Sequence, residues 1–112
     1  MDRRIELVIT RIESDSVSNQ DLKQLGALVN LSSSRLRHLF KQETGTTPTH
    51  YLKTLRVRKA ELLLRTTFLS IKEVASKVGI NSSSHFVREF KKMYGTTPTK
   101  YRVLVNRKRR KS

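Results

Sequence analysis

Apolar residues recur along this chain at helical intervals, and no stretch alternates as a strand for more than a few residues. Ile5, Val8, Ile9 and Ile12 mark one stripe of a first helix near residues 2–14. Asp15 and Ser16 close it. Ser18 or Asn19 is expected to cap a second helix with Leu22, Leu25, Leu28 and Val29 on one side. Asn30 and Leu31 make a short turn. Ser32 caps a third helix whose inner face is Leu36, Leu39 and Phe40, and Gly45 ends it. Thr47-Pro48 opens a fourth, because proline suits the first helical turn. That helix is expected to run to about Thr66, with Tyr51, Leu52, Leu55, Ala60, Leu63 and Leu64 as its apolar positions.

The scheme then repeats. Ser70 caps a fifth helix with Ile71, Val74, Ala75 and Val78 inside. A turn at Gly79-Ile80-Asn81 leads to Ser82, which caps a sixth helix with Phe86 and Phe90 inside. Gly95 ends it, and Thr97-Pro98 starts a seventh helix carrying Tyr101 and Leu104. Residues 32–51 and 82–101, fifty positions apart, are identical at 11 of 20 places, from the serine triplets to Gly-Thr-Thr-Pro-Thr. A unit of about fifty residues used twice is one supersecondary motif in duplicate. The fold class expected is all-α, with about seven helices.

Charge narrows what such a chain can meet. The net charge is +15, yet residues 1–30 hold four basic and five acidic side chains. The remaining residues, 31–112, carry a net +16. Like charges in that excess repel one another and weaken a compact state, so a polyanionic partner is the simplest reason to keep them. The chain has no cysteine, which excludes a disulfide framework and a thiolate metal site. No apolar run approaches the roughly 18 residues of a membrane span, and the polar start is no signal peptide. A cytoplasmic setting and no membrane contact are expected.

Each repeat consists of a short helix, a tight turn and a second helix opened by serines, the layout of a helix-turn-helix. The expected organisation is a first such subdomain over residues 1–46, a linker helix over 47–66, a second subdomain over 67–106 and a basic tail over 107–112. With Leu36, Leu39 and Phe40 turned inward, Ser33, Ser34, Arg37, His38 and Lys41 lie outward. With Phe86 and Phe90 inward, the matching positions are Ser83, Ser84, Val87, Arg88 and Lys91. Such a face suits a major groove: arginine pairs with guanine edges, valine touches a thymine methyl, and serines permit close approach. Lys41 and Lys91, the same in both copies, read as phosphate contacts, which carry no sequence information. The helix starts at Thr47 and Thr97 offer backbone amides to a phosphate.

Other chemistry is not supported. His38, His50 and His85 have no helical spacing to one another and no clustered carboxylate, so no metal is expected. The serine triplets lack a nucleophile elbow and a base–acid pair, and Gly-Thr-Thr-Pro is no P-loop. An enzyme is not expected, nor a cofactor.

The chain resembles the DNA-binding domain of AraC/XylS-type transcription regulators from about residue 5 to 104. The second copy carries the resemblance most fully, in Ser70-Ile71-Lys72-Glu73-Val74-Ala75, Val78-Gly79-Ile80, Ser82, Ser84, Phe86, Arg88, Phe90-Lys91-Lys92, Tyr94-Gly95, Thr97-Pro98 and Tyr101-Arg102. The first copy adds Leu36, Phe40-Lys41, Gly45, Pro48 and Tyr51-Leu52, followed by Arg56-Val57 and Ala60. The resemblance implies a sequence-specific binder of double-stranded DNA with two recognition helices in successive major grooves. The positions matching the family's base-reading places are Ser34, Arg37 and His38, then Ser83, Ser84, Val87 and Arg88. Two departures stand out: Gly26 where alanine is usual, expected to loosen its helix, and His38 where arginine is frequent. A linker helix of roughly 18 residues would be about 27 Å long. That length suits a monomer on an asymmetric site of about 16–20 base pairs, since successive grooves lie ~34 Å apart. RNA polymerase is a further candidate partner. Two rival classes fit the charge: an architectural protein that bends DNA with little sequence preference, and a small RNA-binding module. The first has no use for two different outward faces, and the second needs aromatic stacking platforms.

Overall fold

The computed structural model describes residues 1–16 and 21–111, with side chains described as far as Lys108. Among the described residues it is all-α. In order, the helices are α1 (Arg3–Ser14), α2 (Leu22–Leu28), α3 (Ser33–Thr44), α4 (Pro48–Thr66), α5 (Ile71–Lys77), α6 (Ser83–Tyr94) and α7 (Pro98–Lys111). They form two compact units, Met1–Leu55 and Arg56–Ser112, so the division falls inside α4.

Local chemistry sets the helix ends. The Asp2 carboxylate accepts from the Arg4 backbone nitrogen at 2.8 Å and starts α1. Ser18 and Asn19, expected as caps for α2, lie outside the described residues; the cap is the Asp21 carboxylate, 2.7 Å from the Gln24 nitrogen. Ser32 and Ser82 cap α3 and α6, their hydroxyls accepting from the nitrogens of Arg35 and His85 at 3.2 and 3.3 Å. Ser70 and Glu73 form a reciprocal capping box on α5. Gly45 and Gly95 close α3 and α6 at φ 82° and 79°, a left-handed conformation that glycine adopts without a Cβ penalty. The basic run expected as a separate tail is helical as far as Lys111. Lysine and arginine are good helix formers and favour the negative end of the helix dipole.

In the first unit, Ile5, Val8 and Ile12 of α1 are fully buried against Leu25, Val29, Leu36, Phe40 and Leu52. Leu28, expected inside, is instead 52% exposed. Its three-residue step from Leu25 takes it 300° round a short helix whose packed side is already filled by Leu25 and Val29. In the second unit, Val57, Ala60 and Leu64 of α4 are buried with Val74, Ala75, Val78, Ile80, Phe86 and Phe90. Leu104, an apolar position of α7, is 51% exposed, because α7 turns Tyr101 and Arg102 toward the unit instead.

The buried triads of α1 and of the second half of α4 share one spacing, three residues and then four. The second half of α4 therefore leads the second unit as α1 leads the first, and its first half supplies Leu52 to the first unit. Each unit also ties its last helix back to its leading helix through a tyrosine. Tyr51 donates to Glu13 at 2.6 Å, and Tyr101 donates to Glu61, which Arg65 holds at 2.6 Å. Burial first, then the Glu61 bond, pushes the Tyr101 hydroxyl up to about 12, so it remains a donor. Arg102 donates to the carbonyls of Leu69 (2.6 Å), Leu64 (3.1 Å) and Thr67 (3.4 Å), closing the end of α4.

Gly26 has a tighter role than the sequence suggested. Both units end their leading turn helix with a Schellman bond, Leu31 to Gly26 at 2.9 Å and Ile80 to Ala75 at 2.8 Å. The first turn is one residue shorter, with Asn30 at φ 58° where the second has Gly79 at 89°. A Cβ built on Gly26 would lie 2.3 Å from the Leu31 carbonyl oxygen, a backbone atom. Gly26→Ala gains up to about 1 kcal/mol of helix propensity, but displacing a packed turn costs typically 1–3 kcal/mol. A net loss of about 1 kcal/mol is expected, read as a lower urea midpoint at unchanged slope. A raised midpoint would show that the turn yields freely.

Candidate nucleic-acid interface

Helix geometry decides which side chains can face a partner. At 100° per residue, α3 buries Leu36 and Phe40, and the opposite arc contains Ser34, Arg37, His38 and Lys41. All four are exposed, whereas Ser33, expected outward, lies seven residues before Phe40 and so on the buried side, where it is half-buried. Ser34, Arg37, His38 and Lys41 together with Thr47 line one depression of about 310 Å³ on the first unit. All but Ser33 of the residues that the sequence singles out in the first copy are thus gathered at one place, with Arg37 and Lys41 as its cations.

On α6, the buried Phe86 and Phe90 leave Ser83, Ser84, Arg88 and Lys91 exposed, with Val87 half-buried. The aromatic set behind this face is dense. Phe90 stacks on Tyr94 with ring centroids 4.6 Å apart and meets Tyr101 and Phe86 edge-on at 5.3 and 5.8 Å. Those rings lock α6 to α7 and so fix how the outer face is offered.

Thr47 and Thr97, expected at a phosphate, have a structural duty as well. Their hydroxyl oxygens accept from the backbone nitrogens of His50 and Lys100, at 3.2 and 3.3 Å, and so cap α4 and α7. Each hydroxyl keeps its hydrogen to donate, as a phosphate contact would require. Both threonines are half-buried, behind the fully buried Pro48 and Pro98.

Sequence reasoning gave Arg102 no separate task. Its guanidinium is committed to three main-chain carbonyls, so this member of the basic excess holds the fold together. Only its position beside Tyr101 hinted at it. Among the described residues, no group of three or more His, Cys, Asp or Glu side chains is placed to hold a metal ion. No helix there is long and apolar enough to cross a membrane.

Comparison with known proteins agrees with this geometry. A family model described as a helix-turn-helix domain matches residues 25–103. The arabinose operon regulatory protein of Escherichia coli is 38% identical over 86 residues, covering 77% of this chain and 30% of that protein. The chain spans about a third of the length of the curated relatives it matches. The C-terminal domain of the two-component response regulator yesN from Fusobacterium nucleatum is 37% identical with a TM-score of 0.82, over 90% of this chain and 99% of that one. The DNA-binding domain of AdpA, a global transcriptional factor solved in complex with a target DNA, is 26% identical with a TM-score of 0.90, over 99% and 100%. Two repeated helix-turn-helix units, their signature residues and these matches together place the chain in the AraC-type helix-turn-helix family.

Proposed function

We propose that this chain is the sequence-specific, double-stranded DNA-binding part of a transcription regulator, and that α3 and α6 enter successive major grooves. The observation that carries this reading is the pair of outer faces, each cationic and backed by its own core. The solved DNA complex of the AdpA domain supports it. Ser33, Ser34, Arg37 and His38 read bases in one groove, and Ser83, Ser84, Val87 and Arg88 read them in the next. Lys41, Lys91, Thr47 and Thr97 hold phosphates. One protein occupies one asymmetric site, in the cytoplasm, with RNA polymerase as the partner of the whole regulator. No catalytic role is assigned.

An architectural binder would have the same charge but no base preference, which gives the test. Arg88→Ala is expected to cost roughly 1–3 kcal/mol on the preferred site and to relax preference at one base pair. Lys91→Ala should weaken binding to all sequences alike. Competition titrations with preferred and scrambled duplexes separate the two. Equal losses on both duplexes for Arg88→Ala would remove the base-reading role.

A further inference from the structure

Each of the three histidines stands where the other copy of the duplicated segment has a permanent cation: His38 opposite Arg88, His50 opposite Lys100, and His85 opposite Arg35. Two of them fall in the first unit and lie around one residue. His38 lines the depression of about 310 Å³ with Ser34, Arg37, Lys41 and Thr47. His50 is in the first turn of α4, where its backbone nitrogen donates to the Thr47 hydroxyl at 3.2 Å. Both are exposed, whereas His85 is half-buried on the flank of α6. The cations around the pair are fixed in charge: Arg37 and Lys41 in the depression, Arg35 one turn back from His38, and Lys53 one turn on from His50. Glu43, the carboxylate of α3, sits about 140° round the helix from His38 and accepts from the Asp2 backbone nitrogen. The helices α1 and α2 pack against the buried side of α3, and none of their charged side chains, Asp21 and Lys23 of α2 included, lines the depression.

We infer that the first unit takes up protons at His38 and His50 when it binds DNA, so that its hold weakens as pH rises through the histidine range while the hold of the second unit does not. The inference rests on the DNA reading above and adds proton uptake to it. Imidazole is the side chain whose charge ordinarily changes between about pH 5 and 8. A phosphate brought to the depression at Thr47 favours the charged form, which donates from both ring nitrogens, over the neutral one. Protons and DNA are then linked ligands, each raising the affinity for the other. The sign follows: affinity is full on the acid side of the range and falls as pH rises through it. Arg88 and Lys100, at the equivalent places of the second unit, keep their charge throughout.

The test is titration of the whole chain with a duplex selected from a random pool, at several pH values and one ionic strength, because salt alone alters affinity. The phosphodiesters and bases of DNA keep their charge over the range used. With a gain of about one pKa unit per histidine on binding, Kd should rise roughly 5- to 10-fold for each histidine, and about 25- to 100-fold for the pair, from about pH 6 to about pH 8. His38→Gln and His50→Gln should each flatten the profile in part, and the double glutamine variant should bind weakly at every pH. Installing the second copy's cations, His38→Arg with His50→Lys, should give the tighter affinity at every pH. His85→Gln should keep the wild-type profile. Both substituted positions of the first unit are exposed, so these variants should keep the wild-type melting temperature to within a few degrees. Calorimetry in buffers of unlike ionisation enthalpy counts the protons taken up, and the double glutamine variant should take up fewer. If the wild type binds its duplex equally well across the range, or if the double glutamine variant keeps the wild-type profile, the inference is overturned while the DNA reading stands. If no duplex is bound at any pH, the DNA reading falls, and this inference with it.

Discussion

Raising monovalent salt from about 50 to about 200 mM should weaken binding to the preferred duplex by roughly three to five orders of magnitude. The expectation comes from the net +16 of residues 31–112 and from where its members stand. Not all of that charge is available. Arg102 is committed to carbonyls, and Arg65 is paired with Glu61 at 2.6 Å. Lys92 lies 3.6 Å from Glu89. The exposed cations of the two outer faces, with neighbours along α7, leave enough for about six to ten phosphate contacts. Each displaces a condensed counterion, giving a log–log slope of about −5 to −9. Removing residues 107–111 should make the slope shallower by up to about one unit for each phosphate left without its cation, while sequence preference stays intact. Filter-binding or fluorescence titrations across the salt range measure both. A slope flatter than about −3 would mean that far fewer phosphates are contacted than the charge suggests. A selective loss of preference on trimming would mean that the run reads bases.

Phe90→Ala should remove most of the stability of the second unit and leave the first unit folded. Phe90 is fully buried and is the ring around which Tyr94, Tyr101 and Phe86 are arranged. Truncating a buried phenylalanine costs about 3–5 kcal/mol. Part of this is the edge-on and stacked packing of the rings, worth roughly 0.5–1.5 kcal/mol per aromatic pair. A unit this small has little more than that to lose, at about 0.05–0.15 kcal/mol per residue. Each unit has its own buried cluster, so the damage should be local. Residue-resolved hydrogen exchange should show protection lost across α5, α6 and α7 and retained in α1, α2 and α3. Phe40→Ala should give the mirror result. Protection lost from all helices at once, in either variant, would show that the two clusters unfold as one.

The helix ends were legible in the sequence because a cap is a local device. Ser32, Ser70 and Ser82 as caps, Gly45 and Gly95 as stops, and Pro48 and Pro98 as starts need only their neighbours within one turn. The outward faces followed once an apolar stripe was assigned, because helix geometry turns burial of one side into exposure of the other. The duplicated segment also announced that the same scaffold is used twice.

Other features needed the packed chain. Nothing in the residues of α4 resembles α1, yet Val57, Ala60 and Leu64 fill the place of Ile5, Val8 and Ile12. Burial asks for apolar volume at the right spacing, not for identity, so this half of the repeat is silent in the sequence. The carboxylates that receive Tyr51 and Tyr101, Glu13 and Glu61, lie 38 and 40 residues away along the chain. Leu28 read as core by period, and neighbouring side chains decided otherwise. Gly26 read as a loosened helix position, whereas the Leu31 carbonyl folds back over it. The sequence by itself determined the helices and most of their ends, and which side of each serine-capped helix faces outward, because those depend on contacts within a turn or two. Only the tertiary structure decided which helix leads the second unit, which leucines are buried and what Arg102 and Gly26 do, because those depend on contacts that no local pattern records.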